Sequence, residues 1–203
     1  MPTPLTQLPL PKSLSSTARA DSVDTELLIR TVLSCGALKA APISQDQIVL
    51  SETFRTICES IQCGGYDRCW KCPPYVGSTD EVMKEVRRYP QAILYQTVAE
   101  IEDSFDIEGM FDAGKAHAQI SQKINEAVKP LIPGEFLHLS CGGCHLCDTC
   151  AKLENKPCRM PDKALAGMEA YCIDVYQTSL GTPLKYINGQ NTVTYFGILL
   201  YGV

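Results

Sequence analysis

The sequence predicts an α+β protein in which a modest mixed or antiparallel sheet is covered by helices and carries two cysteine-rich metal-binding loops. Three observations support this. Segments with helical apolar spacing alternate with short β-branched and aromatic runs, no internal repeat or heptad is present, and nine of the 11 cysteines crowd into two stretches. At 203 residues, 45% hydrophobic and 20% charged, the chain is long and apolar enough to bury a core. Residues 1–22, rich in Ser, Thr and Pro, read as a flexible tail, and residues 23–203 as a single α+β metal-binding domain.

The elements follow in order. Asp24 caps a helix whose apolar positions Leu27, Leu28, Val32 and Cys35 recur at helical spacing and which Gly36 ends. Ile48 to Leu50 reads as a short strand, and Ser51 caps a helix running into Cys58. Ser78 and Glu81 form a capping box, Val82, Val86 and Tyr89 share a face, and Pro90 stops that helix. Gln91 to Val98 follows as a strand. A longer helix starts at Asp112 and carries Ala113, Ala116, Ile120, Ile124 and Val128 on one face up to Pro130; its His117 reads as a surface residue. Phe136 to Ser140 is a strand, Asp162 to Leu180 a helical stretch, and Thr192 to Tyr201 β-rich, with Asn188-Gly189 as a hairpin signal. The cysteines are expected in the loops between these elements.

Composition narrows the function classes. Eighteen Lys plus Arg against 23 Asp plus Glu give a formal charge of −5, the wrong sign for neutralising phosphates, so no nucleic-acid partner is expected. No apolar stretch is long enough for a spanning helix, so no membrane partner is expected either. Eleven cysteines in 203 residues are fewer than the roughly 8–10% of a disulfide scaffold, and an odd count cannot pair completely. The start lacks the charged leader and apolar core of a secretory signal. A reducing, cytoplasmic setting with thiols as metal ligands is therefore the expectation.

The first cysteine group is Cys58, Cys63, Cys69 and Cys72; the second is Cys141, Cys144, Cys147, Cys150 and Cys158. Thiolates select zinc, Cu(I) or iron–sulfur clusters. Cys144, Cys147 and Cys150 reproduce the C-x2-C-x2-C run that wraps a cubane cluster, with Cys158 as the remote fourth ligand. Zinc remains the competitor, because the pair Cys69/Cys72 can join Cys141/Cys144 or Cys147/Cys150 as two knuckles. Glycines beside the ligands, Gly64 and Gly65 in one loop and Gly142 and Gly143 in the other, let the backbone approach sulfur. Tyr66, Trp70 and Tyr75 are placed to shield the first group from water, whereas His145 and Asp148 read as solvent-facing. No phosphate loop, dinucleotide fingerprint or hydrolytic triad pattern appears, so any chemistry falls to the metal.

A family resemblance rests on these residues. Cys58, Cys63, Tyr66, Trp70-Lys71-Cys72-Pro73-Pro74-Tyr75, Gly143-Cys144-x2-Cys147-x2-Cys150, Pro157-Cys158-Arg159-x-Pro161, Met168-Glu169-Ala170 and Ile173-Asp174-Val175 together resemble a family of predicted metal-binding proteins of anaerobic bacteria and archaea. The resemblance covers about residues 40–200 and implies a cytoplasmic, cysteine-ligated site of iron–sulfur type. Cys172 stands where that family usually has glycine, and Cys69 and Cys141 are additions to its common cysteine set. The resulting expectation is two [4Fe-4S]-type clusters. Cys144, Cys147, Cys150 and Cys158 hold one, and Cys58, Cys63 and Cys72 with Cys69 hold the other, Cys141 standing in if Cys69 cannot reach. The protein would then act in electron transfer or as a redox subunit for a partner protein. A zinc-stabilised interaction module and an iron–sulfur enzyme with an open iron are the alternatives.

Overall fold

The computed structural model describes residues 23–60 and 63–202, so the stretch read as a tail lies outside the described residues. Five strands form one mixed sheet, β1 (Lys39–Ser44), β2 (Gln91–Glu100), β3 (Leu137–Ser140), β4 (Ala166–Gly167) and β5 (Thr192–Tyr201), in the order β1-β2-β5-β3-β4. Every neighbouring pair is antiparallel except β3 with β4. With α1 (Thr25–Ser34), α2 (Glu52–Glu59), α3 (Thr79–Arg87), α4 (Ile107–Val128) and α5 (Val175–Ser179), the fold is α+β, as the sequence predicts.

Successive strand residues point to opposite faces, and both faces of this sheet are covered. On one face Ala92 and Leu94 of β2 and Phe196, Ile198 and Leu200 of β5 pack with Val82 and Val86 of α3, Met168 and Ile173. On the other, Ile93, Tyr95, Leu199 and Tyr201 pack with Leu28 and Val32 of α1 and Ile124 and Val128 of α4. This two-sided burial is why the central strands read as near-continuous apolar runs in place of an in–out alternation. Gly197 lies opposite Tyr95 in the β2–β5 register, and a Cβ there would collide with the Tyr95 ring.

The helix starts follow their caps. Asp24 accepts from the Leu27 N–H (3.0 Å), and Ser78 and Glu81 form the expected capping box. Cys35 caps α1 at its C-terminus and is half-buried, and Gly36 follows at φ +114°.

Several expectations are corrected. Ile48 to Leu50 is not a strand; Leu50 makes an isolated bridge to Ile173, and the strand of this region is β1. β1 contains Pro42 and is an edge strand, where a missing N–H is tolerated. α4 begins well before Asp112, because the Asp106 carboxylate accepts from the Gly109 N–H (2.8 Å) and caps it there. Its buried positions are His117, Ser121, Ile124, Asn125 and Val128, so His117 is a core residue and not a surface one. The sheet below supplies the polar partners that allow this: Thr97 Oγ1 lies 2.8 Å from His117 Nδ1 and Tyr95 Oη 2.8 Å from Ser121 Oγ.

Asp162 to Leu180 breaks into β4, a 3-10 turn at Met168–Tyr171 and the short α5, because Cys172 takes the left-handed conformation at φ +62° and ends the turn. Asn188-Gly189 lies in a loop and forms no hairpin: β5 pairs with β2 and β3, both remote in sequence. Cys58 lies in the last turn of α2 and not in a loop.

Candidate metal centre

The two cysteine stretches meet at the end of the sheet where β3 and β4 terminate. β3 delivers Cys141 directly after Ser140, and the parallel β4 lays Gly167 against Gly142, so closely that a Cβ on Gly167 would collide with the Gly142 carbonyl. The first stretch is a run of reverse turns after α2, with Cys63 N–H donating to Ser60 O (3.2 Å), Arg68 N–H to Gly65 O (3.1 Å) and Cys72 N–H to Cys69 O (3.0 Å). α2 is fixed by Arg55, which is buried and donates to Ala170 O (3.1 Å) and Gly77 O (2.6 Å) while pairing with Glu59 (3.1 Å).

The stretches are clamped to one another. Trp70 Nε1–H donates to Lys156 O (2.8 Å) across the loops. The Lys152 ammonium lies 4.8 Å from the Tyr75 ring centre and 3.7 Å from the Asp67 carboxylate, which in turn accepts from the Tyr75 hydroxyl. Within the second stretch a 3-10 turn at Ala151–Glu154 ends on Asn155 at φ +51°, and Arg159 donates to Thr149 O (2.7 Å), drawing Cys158 back toward Cys150.

All 11 cysteines are free thiols. Those that could hold metal divide into two neighbouring groups. In the first, burial pushes the Cys58 thiol up to about 11, reinforced by the neighbouring Cys63 and by the Glu169 carboxylate, against the opposing pull of Arg55. Cys72 belongs here too: beyond its hydrogen bond to Cys69 and its burial, the charges of Cys63 and Cys58 push it up. In the second, burial raises Cys144, and Cys69, Cys158 and Cys147 act on it in the same direction.

Cys69 sits where the groups touch. It is pulled down by its hydrogen bond from Cys72, by the Lys71 N–H (3.4 Å), and by the Cys144 backbone and Cys150 thiol. It therefore leans toward the second group, not only the first. Cys141 turns inward: burial raises it to about 12, with Glu169 as its charged neighbour. Gly65 and Gly143 flank the Cys72 sulfur from the two loops, at 2.9 Å and 3.6 Å from their would-be Cβ positions, whereas Gly64 and Gly142 face open space.

Among the described residues no three His, Cys, Asp or Glu side chains converge at metal-ligating distance; the thiols are gathered pairwise and in chains. The donor set nonetheless fits a thiophilic metal. The thiols oppose one another's ionisation and Arg55 offsets this only at Cys58 among them, so a bound metal supplies the positive charge the group needs.

Trp70 and Tyr66 are half-buried beside the first stretch and Tyr75 is more exposed, while His145 and Asp148 are exposed. What the sequence reading missed is Glu169, a carboxylate whose proton affinity is raised by burial and which accepts from the Gly142 N–H (3.3 Å). Only its place in the Met168-Glu169-Ala170 motif signalled it.

An α+β scaffold that brings two cysteine-rich loops together at one sheet end gathers donors of the class that soft metals take. The chain belongs to the family of predicted metal-binding proteins (DUF2284), whose profile matches residues 41–201. No curated protein and no solved structure matches it. No helix among the described residues is long and apolar enough to cross a membrane.

Proposed function

We propose that the chain is an iron–sulfur protein that holds two [4Fe-4S]-type clusters side by side and exchanges electrons with a partner protein in a reducing, cytoplasmic setting. Cys144, Cys147, Cys150 and Cys158 are the ligands of one centre. Cys58, Cys63 and Cys72 are three ligands of the other, whose fourth position is left to Cys69, Cys141 or an exogenous group. When bound, the clusters supply one-electron redox chemistry.

The observation that carries this reading is the meeting of the two loops at Cys72, whose sulfur lies against Gly65 of the first and Gly143 of the second. Ligand shells that touch place two redox centres next to each other, the arrangement an electron relay needs. The chain's own part is to gather and orient the thiols, to bring Gly65 and Gly143 against the Cys72 sulfur, and to exclude water with Trp70.

Zinc is supported as a second reading by the contact of Cys69 with Cys150, which brings the pairs Cys69/Cys72 and Cys147/Cys150 together as two knuckles would stand. Anaerobic purification followed by iron, sulfide and zinc analysis decides between them. The proposal expects a brown protein with about eight iron and eight acid-labile sulfide per chain, bleached by dithionite. A colourless protein with stoichiometric zinc overturns it.

A further inference from the structure

A cavity of about 420 Å³ opens beside Cys141, Gly142 and His145 of the second cysteine stretch, within the size range of small-molecule sites. Its walls are aromatic: Phe54, Phe111, Tyr176, Tyr186, Tyr195 and Phe196. The rings are braced by one another and by the backbone. Tyr176 meets Tyr186 edge to face at 5.4 Å, Tyr186 stacks on Phe196 at 5.8 Å, and the Tyr195 hydroxyl donates to Met110 O (2.6 Å). Phe111, Tyr176 and Tyr186 remain 67%, 49% and 47% exposed, an open aromatic rim that the fold itself does not cover.

One carboxylate, Glu169, lines this cavity. Its Oε2 is steadied by the Gly142 N–H at 3.3 Å, and Gly167 packs under it, a Cβ there lying 2.8 Å from that oxygen. No ion pair to Glu169 occurs among the described residues. The cavity's lysine, Lys115, points its ammonium at Asp112 (2.9 Å) in solvent.

We infer that this cavity binds an organic ammonium with a flat apolar body, the nitrogen on Glu169 and the body between the aromatic walls. Ring faces attract cations and exclude water, and a carboxylate without a cationic partner inside such walls gains most from a ligand that brings its own positive charge. An anionic ligand meets the unpaired carboxylate, and a neutral one leaves it unpaired. The site adjoins the thiols: Phe54 and Cys58 stand one turn apart on α2, and Glu169 acts on both Cys58 and Cys141. A ligand here therefore sits against Cys141 and one helical turn from Cys58. The inference does not depend on which metal the thiols hold.

Calorimetric titration of the metal-loaded chain at pH 7 with phenethylamine, 2-phenylethanol and phenylacetate tests it, with metal content measured on the same sample so that failure of the iron–sulfur reading is seen separately. Phenethylamine is expected to bind at least tenfold more tightly than the alcohol, and phenylacetate most weakly. Glu169→Gln should abolish the preference for the amine. Phe111→Ala, at an exposed rim position that leaves the core intact, should weaken amine and alcohol alike and so tests the walls even where the Glu169 variant fails to fold. No binding of the amine at millimolar concentration, equal affinity for amine and alcohol, or a preference that survives in Glu169→Gln would overturn the inference.

Discussion

At the scale of single residues, the side chains divide by what their sulfur or nitrogen meets. Cys147 stands in the second thiol group, whereas Cys35 caps a helix and Cys172 is buried at a turn end. Metal binding in small thiol sites is also folding energy. Cys147→Ala is therefore expected to lose metal and melt lower, while Cys35→Ala and Cys172→Ala keep full metal at a cost of about 1–2 kcal/mol each. Full metal and unchanged melting in Cys147→Ala would contradict its place as a ligand.

The Cys172 backbone is left-handed, and φ +62° is a conformation that suits a residue without Cβ. The two buried histidines set an acid limit. Burial holds His117 down to about 4 and His138 down to about 3, so between pH 6.5 and those values the unfolded chain binds protons that the folded chain does not. Stability should thus fall as pH drops below 6.5, with His117 alone contributing up to about 3 kcal/mol by pH 4. Denaturant midpoints across this range, in wild type and His117→Phe, measure it. A flat wild-type curve from pH 7 to 4.5 would contradict neutral buried imidazoles.

At the scale of elements, the cysteine loops depend on two devices that lie outside the cysteines. Removing the indole N–H in Trp70→Phe breaks the link to Lys156 O at a cost of about 1 kcal/mol, and metal should then leave faster to a chelator. Equal release rates would show that the clamp does not govern retention. Gly167→Ala sets a methyl group against the Gly142 carbonyl and should destabilise by about 1–3 kcal/mol while displacing the Cys141–Cys144 turn, read as a lower melting point with reduced metal.

The helices with strong caps were legible. Ser78 with Glu81 and Asp24 each announce a helix by a local hydrogen bond that needs no tertiary partner. The start of α4, β1 and the buried face with His117 were not. Each depends on a partner supplied from far along the chain, such as Thr97 below His117 or β2 beside Pro42.

At the scale of the whole molecule, the sheet order explains what the sequence could and could not disclose about the site. The cysteine spacings identify two groups, because ligands of one loop are near in sequence. The sharing of Cys69 between groups and the inward turn of Cys141 arise only when loops about 80 residues apart are packed together, as Trp70 and Lys156 are. The aromatic cavity has the same origin, drawing its walls from α2, α4, α5 and β5. The position of β5 has a further consequence. The last strand of the sheet in sequence lies at its centre, between β2 and β3, and buries residues on both faces. During synthesis, then, both cysteine loops leave the ribosome before the strand that knits their scaffold together exists. A chain halted before Thr192 should accordingly be protease-sensitive and retain no metal, although every cysteine is present. Metal retention by that nascent fragment would show that the loops assemble without the sheet.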